Sequence, residues 1–241
     1  MKMRKAGWIA GLFLAYGLAG AEVIYSNDFN GVVGTVASET EPEINTIAGY
    51  IDAATKALVA DGEGRLYSID QAGNNVNYRF RLNPVPLNKN PQLAAVKCTV
   101  TMRAPSTKEW VGIGFHESNA NGLLDTKINS GPWLQVGKSY ITVRGGYSTQ
   151  GSMTQFKATH QSSEMIRIEF TCRFNNTFDL KVNGDLLADG LPLEHINLDE
   201  SGSASPVFGW LQMQFRQQNT IENGGAYIDS LVVETHPKQM G

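Results

Sequence analysis

VFGWLQMQFRQQ, residues 207–218, alternates along its length. Leu211, Met213 and Phe215 fall on one parity, and Trp210, Gln212, Gln214 and Arg216 on the other. Side chains of a strand point to opposite faces in turn, so this is a strand with one oily face. Its other face carries an indole, two amides and a guanidinium instead of the Lys, Glu and Thr common on a solvated sheet.

Working outward, the same parity recurs. In WVGIGFH, Val111, Ile113 and Phe115 share one face, leaving Trp110, Gly112, Gly114 and His116 on the other. WLQVG splits into Leu134 and Val136 against Trp133 and Gln135. In YITVRGGY, Ile141 and Val143 oppose Thr142 and Arg144. AAVKCTVTMRA, MIRIEFTCRF, TFDLKV and AYIDSLVVE are further strand-like runs. Asn183-Gly184 between two such runs predicts a type I′ hairpin, since both central residues need positive φ. Asn175-Asn176 is expected to turn in the same way, and Gly137-Lys138 to suit a type II′ turn. Asn175-Asn176-Thr177 also fits a glycosylation sequon, but a tight turn accounts for it without sugar. Residues 48–60, AGYIDAATKALVA, read either as a surface helix or as an irregular strand. Ten to twelve short strands predict an all-β fold, an antiparallel β-sandwich of the jelly-roll kind.

The first residues, MKMRKAGWIAGLFLAYGLAGA, join a basic start to a short apolar run and an Ala-Gly-Ala end. That is the pattern of a secretory signal peptide spanning 1–21, with an uncleaved anchor as the alternative. The expected domain then covers 22–241, secreted to a periplasmic, cell-surface or extracellular place. The whole chain has 20 basic and 23 acidic residues. Removing Lys2, Arg4 and Lys5 leaves 17 basic against 23 acidic, a net charge of −6, which argues against nucleic acid as a partner. No segment after the leader is apolar enough for a membrane span. Cys98 and Cys172 lie in phase with apolar neighbours, so both point inward, as a disulfide or as two buried thiols.

Four pieces in order, IYSNDFNG, TFDLKVNGDLL, FGWLQMQF and AYIDSLVVE, resemble the concanavalin A-like lectin/glucanase superfamily, especially laminin-G-like domains of exported bacterial proteins. The resemblance covers most of residues 22–236 and implies two curved antiparallel sheets, with carbohydrate bound on the concave one. It does not extend to the hydrolases' Glu-x-Asp-x-x-Glu strand, because no Glu here has Asp two residues later. The alginate-lyase branch's Gln-Ile/Val-His strand is also missing.

Read together, Trp110, His116, Trp133, Gln135, Arg144, Trp210, Gln212, Gln214 and Arg216 are candidate ligand-binding residues. Indoles stack on the C–H faces of pyranose rings, amides and guanidinia bond neighbouring hydroxyls, and arginine forks onto a carboxylate or sulfate. Gly112 and Gly114 are expected to let a polymer approach the backbone. The primary reading is a lectin-like domain for a polysaccharide or glycoconjugate, with an acidic glycan as a sub-case. Its first alternative is a secreted polysaccharide-cleaving enzyme, a uronate lyase drawing on His116, Arg144, Tyr147, Arg216 or His160. The second alternative is a structural or adhesive surface protein. The resemblance also implies a structural Ca²⁺ joining the chain ends, with Asp28, Asn30 and Asp229 as candidate ligands.

Overall fold

The computed structural model describes residues 20–29, 35–36, 58–60, 64–68, 76–82, 87–116, 130–144, 156–193, 208–216 and 220–238. The predicted leader, apart from its last two residues, lies outside that set, as do Asn30, Tyr147 and residues 48–57.

The alternating segments pair into two antiparallel sheets. Among the described residues the nine-stranded sheet contains β1 (Glu22–Asn27), β2 (Thr35–Val36), β3 (Leu58–Ala60), β4 (Leu66–Ser68), β6 (Leu93–Arg103), β11 (Met165–Arg173), β12 (Thr177–Val182), β13 (Asp185–Pro192) and β15 (Tyr227–Pro237). The six-stranded sheet contains β5 (Val76–Arg81), β7 (Val111–His116), β8 (Ser130–Val136), β9 (Tyr140–Arg144), β10 (Phe156–Thr159) and β14 (Trp210–Phe215). The larger sheet runs β13-β12-β11-β6-β15-β4-β3-β2, with β1 also against β15; the smaller runs β10-β9-β8-β7-β14-β5. The end of the predicted helix-or-strand segment is strand, in β3. No helix among the described residues is long and apolar enough to cross a membrane.

One parity of each strand fills the space between the sheets. Val96, Cys98, Val100 and Met102 of β6, Ile166, Ile168, Phe170 and Cys172 of β11, and Phe178 and Leu180 of β12 are buried. They share a single core with Val111, Ile113, Phe115, Leu134, Val136, Ile141, Val143, Leu211, Met213 and Phe215 of the smaller sheet. Each fully buried aliphatic or aromatic side chain contributes roughly 1.5–3 kcal/mol of transfer free energy. Phe29 belongs to this core as well. It turns inward with φ 54° while its N–H donates to Asn27 Oδ1 at 2.7 Å.

The turns obey their chemistry with two corrections. Asn183 (φ 53°) and Gly184 (φ 91°) make the expected hairpin, in which Val182 faces Asp185. Asn183 Oδ1 also accepts from the Arg167 N–H at 2.9 Å, extending the ladder past the strand end. Between β11 and β12 the loop has three residues rather than two, because Arg173 pairs with Thr177 and only Asn176 takes positive φ, at 66°. Here the predicted type I′ turn gives way to a three-residue loop closed by a left-handed asparagine. At β8–β9 the predicted type II′ turn is absent. Gly137 does not have positive φ, and its N–H donates to Tyr140 O at 2.8 Å, so Lys138 and Ser139 form the bend. The need for glycine at 137 is steric: a Cβ there would sit 2.2 Å from the Tyr140 ring.

Of the two alternatives for the cysteines, the structure has free thiols. Cys98 faces Phe170 and Cys172 faces Val96 across β6–β11, so the two are diagonal neighbours rather than opposite. Burial pushes the Cys98 thiol up to about 12, and burial, then the nearby Cys98 and Asp179, raises Cys172 well above the usual thiol range. Thiolate, the reactive form, is therefore scarce in the fold. Native protein at pH 8 is expected to resist Ellman's reagent and release two equivalents on unfolding in guanidinium; fast native labelling would contradict this packing.

Candidate functional site

The polar parity of the six-stranded sheet forms one face, and register arranges it in rows. The first row pairs Arg81, Trp210 and His116. The second runs Arg79, Gln212, Gly114, Trp133, Arg144. The third runs Asn77, Gln214, Gly112, Gln135, Thr142, Lys157. At one end the Arg216 N–H donates to Trp110 O, setting those two residues side by side. The expected assembly of strands 110–116, 133–144 and 207–216 on one sheet is thus present. β5 was not anticipated. Its alternation, with Tyr78 and Phe80 against Asn77, Arg79 and Arg81, is the signal that marks it.

Being on the outer face does not leave these groups open. Gln212 and Gln214 are 0% exposed, and Trp133, Trp110, Thr142 and Gln135 are also buried. The expectation of bare indole platforms is therefore corrected, and part of the reason is visible in the ring geometry. Trp110 and Trp133 lie together with centroids 5.7 Å apart at 42°. The Arg144 guanidinium sits over the Trp133 ring at 4.9 Å, and that of Arg216 over Trp110 at 5.3 Å. The order is guanidinium, indole, indole, guanidinium. Each cation–π contact contributes about 0.5–2 kcal/mol. The faces of the rings are occupied by the protein's own cations, and the arginines are the more accessible partners: the Arg216 side chain keeps 39% of its exposure.

Gly114 serves this pair. A Cβ on Gly114 would lie 2.0 Å from Trp133 Cβ and 2.7 Å from its Cα. Gly114 is thus bare so that Trp133 can cross it, which replaces the expectation that a polymer approaches the backbone there. Further along, Gln135 Nε2 donates to the Tyr140 hydroxyl at 3.0 Å, and Lys157 Nζ stands 5.7 Å over the Tyr140 ring. Among the described residues Trp133 Nε1 and Thr142 Oγ1 are buried with no hydrogen-bond partner. An unmade buried bond of this kind costs about 1–3 kcal/mol.

The other candidates separate from this face or fall outside the described set. The His160 ring faces the carbonyls of Gln161 at 2.8 Å and Tyr140 at 3.3 Å. Of the proposed calcium ligands, Asp28 is exposed, Asp229 half-buried, and Asn30 not described. The terminal strands are neighbours as expected, since β1 pairs with β15. Yet no group of three or more His, Cys, Asp or Glu gathers among the described residues. Two carboxylates supply fewer than the six to eight oxygens calcium takes, and Asn30, the third expected ligand, lies outside the described residues.

No family model matches the chain, and no curated protein matches it in sequence. Solved structures do. The Emp47p carbohydrate recognition domain is similar at TM-score 0.58 and 10% identity, over 92% of this chain and 100% of that one. The metal-free form of the Emp46p carbohydrate recognition domain gives 0.54 and 7%, over 83% and 92%. Arcelin-5, a lectin-like defense protein from Phaseolus vulgaris, gives 0.57 and 8%, over 91% and 100%. The chain has the concanavalin A-like fold.

Gly114→Ala is expected to destabilise the protein by about 1–3 kcal/mol, since the clash is with backbone and cannot be relieved by a rotamer change. Urea midpoints measure it; an unchanged midpoint would mean Trp133 is not seated across β7.

Proposed function

We propose that the protein is an exported carbohydrate-binding domain that holds a polysaccharide or glycoconjugate against the outer face of its six-stranded sheet. The observation that carries this reading is the ladder Arg216–Trp110–Trp133–Arg144, which crosses the four adjacent strands β14, β7, β8 and β9. A guanidinium stacked on an indole has little freedom left to lose on binding. The amides of Gln135, Gln212 and Gln214 occupy adjoining positions in the same rows. Support also comes from fold neighbours whose names identify them as carbohydrate recognition domains or as lectin-like. Trp210 and His116 belong to the reading through their register, beside Arg81.

Binding rather than cleavage fits the composition of the face. The row positions hold no Asp or Glu, so the paired carboxylates of a glycosidase are not available from them. Export follows from the leader pattern of residues 1–21 and would deliver the domain to where polysaccharides are met.

Arg144→Ala and Arg216→Ala are expected each to weaken binding to the best polysaccharide on a glycan array about tenfold, a charged-group hydrogen bond being worth about 1.5–3 kcal/mol. Lys181→Ala, exposed on the opposite sheet, serves as the control and should leave binding unchanged. Equal behaviour of all three variants would remove the site from this face.

A further inference from the structure

The middle of the six-stranded sheet's polar face is closed: Gln212, Gln214, Trp133, Gln135 and Thr142 are all buried. The face opens at one side, where β10 is the outermost strand. There Lys157 and Thr159 are exposed, and Tyr140 and Arg144 are half-buried. Register sets Thr159 opposite Tyr140 and Lys157 opposite Thr142, so Tyr140, Lys157 and Thr159 share the outer face.

Tyr140 differs from the two indoles in what it leaves accessible. Trp110 and Trp133 are buried against each other, and each has an arginine over its ring, at 5.3 Å and 4.9 Å. The cation over the Tyr140 ring is a lysine, 5.7 Å from the centroid, close to the limit of about 6 Å at which such attraction counts. Lys157 is exposed on a flexible aliphatic stem, and tyrosine attracts a cation less than tryptophan does. A sugar can displace this ammonium from the ring and still bond to it.

The ring is held in place before anything binds. Its hydroxyl accepts from Gln135 Nε2 at 3.0 Å, and the ring crosses Gly137 so closely that a Cβ there would lie 2.2 Å from it. Having accepted that bond, the hydroxyl keeps its own proton to donate. The corner therefore offers a flat apolar surface with hydroxyl and ammonium groups at its margin. A pyranose is complementary to it: the C–H face of the sugar lies on the ring, while its hydroxyls both give bonds to and take bonds from the polar margin.

We propose that Tyr140 is the platform on which one pyranose unit of the glycan stacks, with Lys157 and Thr159 bonding the sugar hydroxyls beside it. This inference rests on the carbohydrate-binding reading above and deepens it by naming a residue that selects the ring type. A furanose, smaller and puckered, presents no comparable C–H face to the tyrosine.

The test measures binding by calorimetry of laminarin, dextran and polygalacturonate, all built of pyranose units, of inulin, built of fructofuranose units, and of the polysaccharide bound best on a glycan array. At least one pyranose polymer is expected to bind, and inulin about tenfold more weakly or not at all. For the polymer bound best, Tyr140→Ala is expected to lose about tenfold, as truncation of an aromatic anchor does, while Tyr140→Phe, which keeps the ring, retains most of the affinity. In the unaltered protein that polymer is expected to shield Tyr140 from hydroxyl-radical labelling, read by peptide mass spectrometry; this footprint decides if Tyr140→Ala fails to fold. Equal labelling of Tyr140 with and without the polymer, parental binding by a folded Tyr140→Ala, a loss in Tyr140→Phe as large as in Tyr140→Ala, or inulin bound as tightly as the pyranose polymers would each overturn the platform and leave the glycan reading standing. Binding of none of these polymers together with a blank glycan array would overturn both.

Discussion

The apolar layer between the sheets determines where every other side chain can go. Phe156 of the smaller sheet meets Phe178 of the larger with ring centroids 6.2 Å apart, and Phe208 meets both Phe115 at 4.9 Å and Phe174 at 5.0 Å. Leu211, Met213 and Phe215 are locked into that layer with no exposure. A one-residue slip of β14 would exchange them for Gln212 and Gln214 and put amides into the core. Register is therefore strongly specified, and with it the placing of Trp133 beside Gly114 and Arg144.

The guanidinium–indole ladder is a product of this constraint. Cross-strand neighbours stand about 5 Å apart, close to the separation at which a cation and an aromatic face attract. Arg144 is opposite Trp133, and Arg216 is bonded through its backbone to Trp110. The arginine planes are thus ordered by the same hydrogen-bond ladder that orders the sheet. Trp110 and Trp133 are not register partners, yet their rings touch. On β7 the missing side chain of Gly114 leaves the room that the Trp133 Cα and Cβ occupy.

Parity made much of the fold legible in the sequence. Alternation placed Val111, Ile113 and Phe115 inside and put Trp110, Gly112 and Gly114 on the other face, as the structure has them. The Asn183-Gly184 hairpin was readable because only a few residues tolerate its dihedrals. Parity says which face a residue takes, however, and not what else lies on that face. Nothing local in Trp133 announces that an arginine will cap its ring, because the partner lies eleven positions away in sequence and meets it only through the hairpin. Loop length between β11 and β12 failed for a related reason: Arg173 pairs with Thr177, and this register is set by the core contacts of Phe170 and Cys172 rather than by the two asparagines. The Gly114 misreading shows that a bare backbone can serve the protein's own side chain as readily as a ligand.

The position of β15 has a consequence for how the chain comes to be folded. It is the last strand in order and stands inside the larger sheet, with β6 along one edge and β1 and β4 along the other. Glu22 near the start waits for Thr235 near the end, and the β6 edge facing β15 stays unpaired until then. During synthesis the larger sheet cannot close until β15 has been made, so its two halves wait for the last strand to join them.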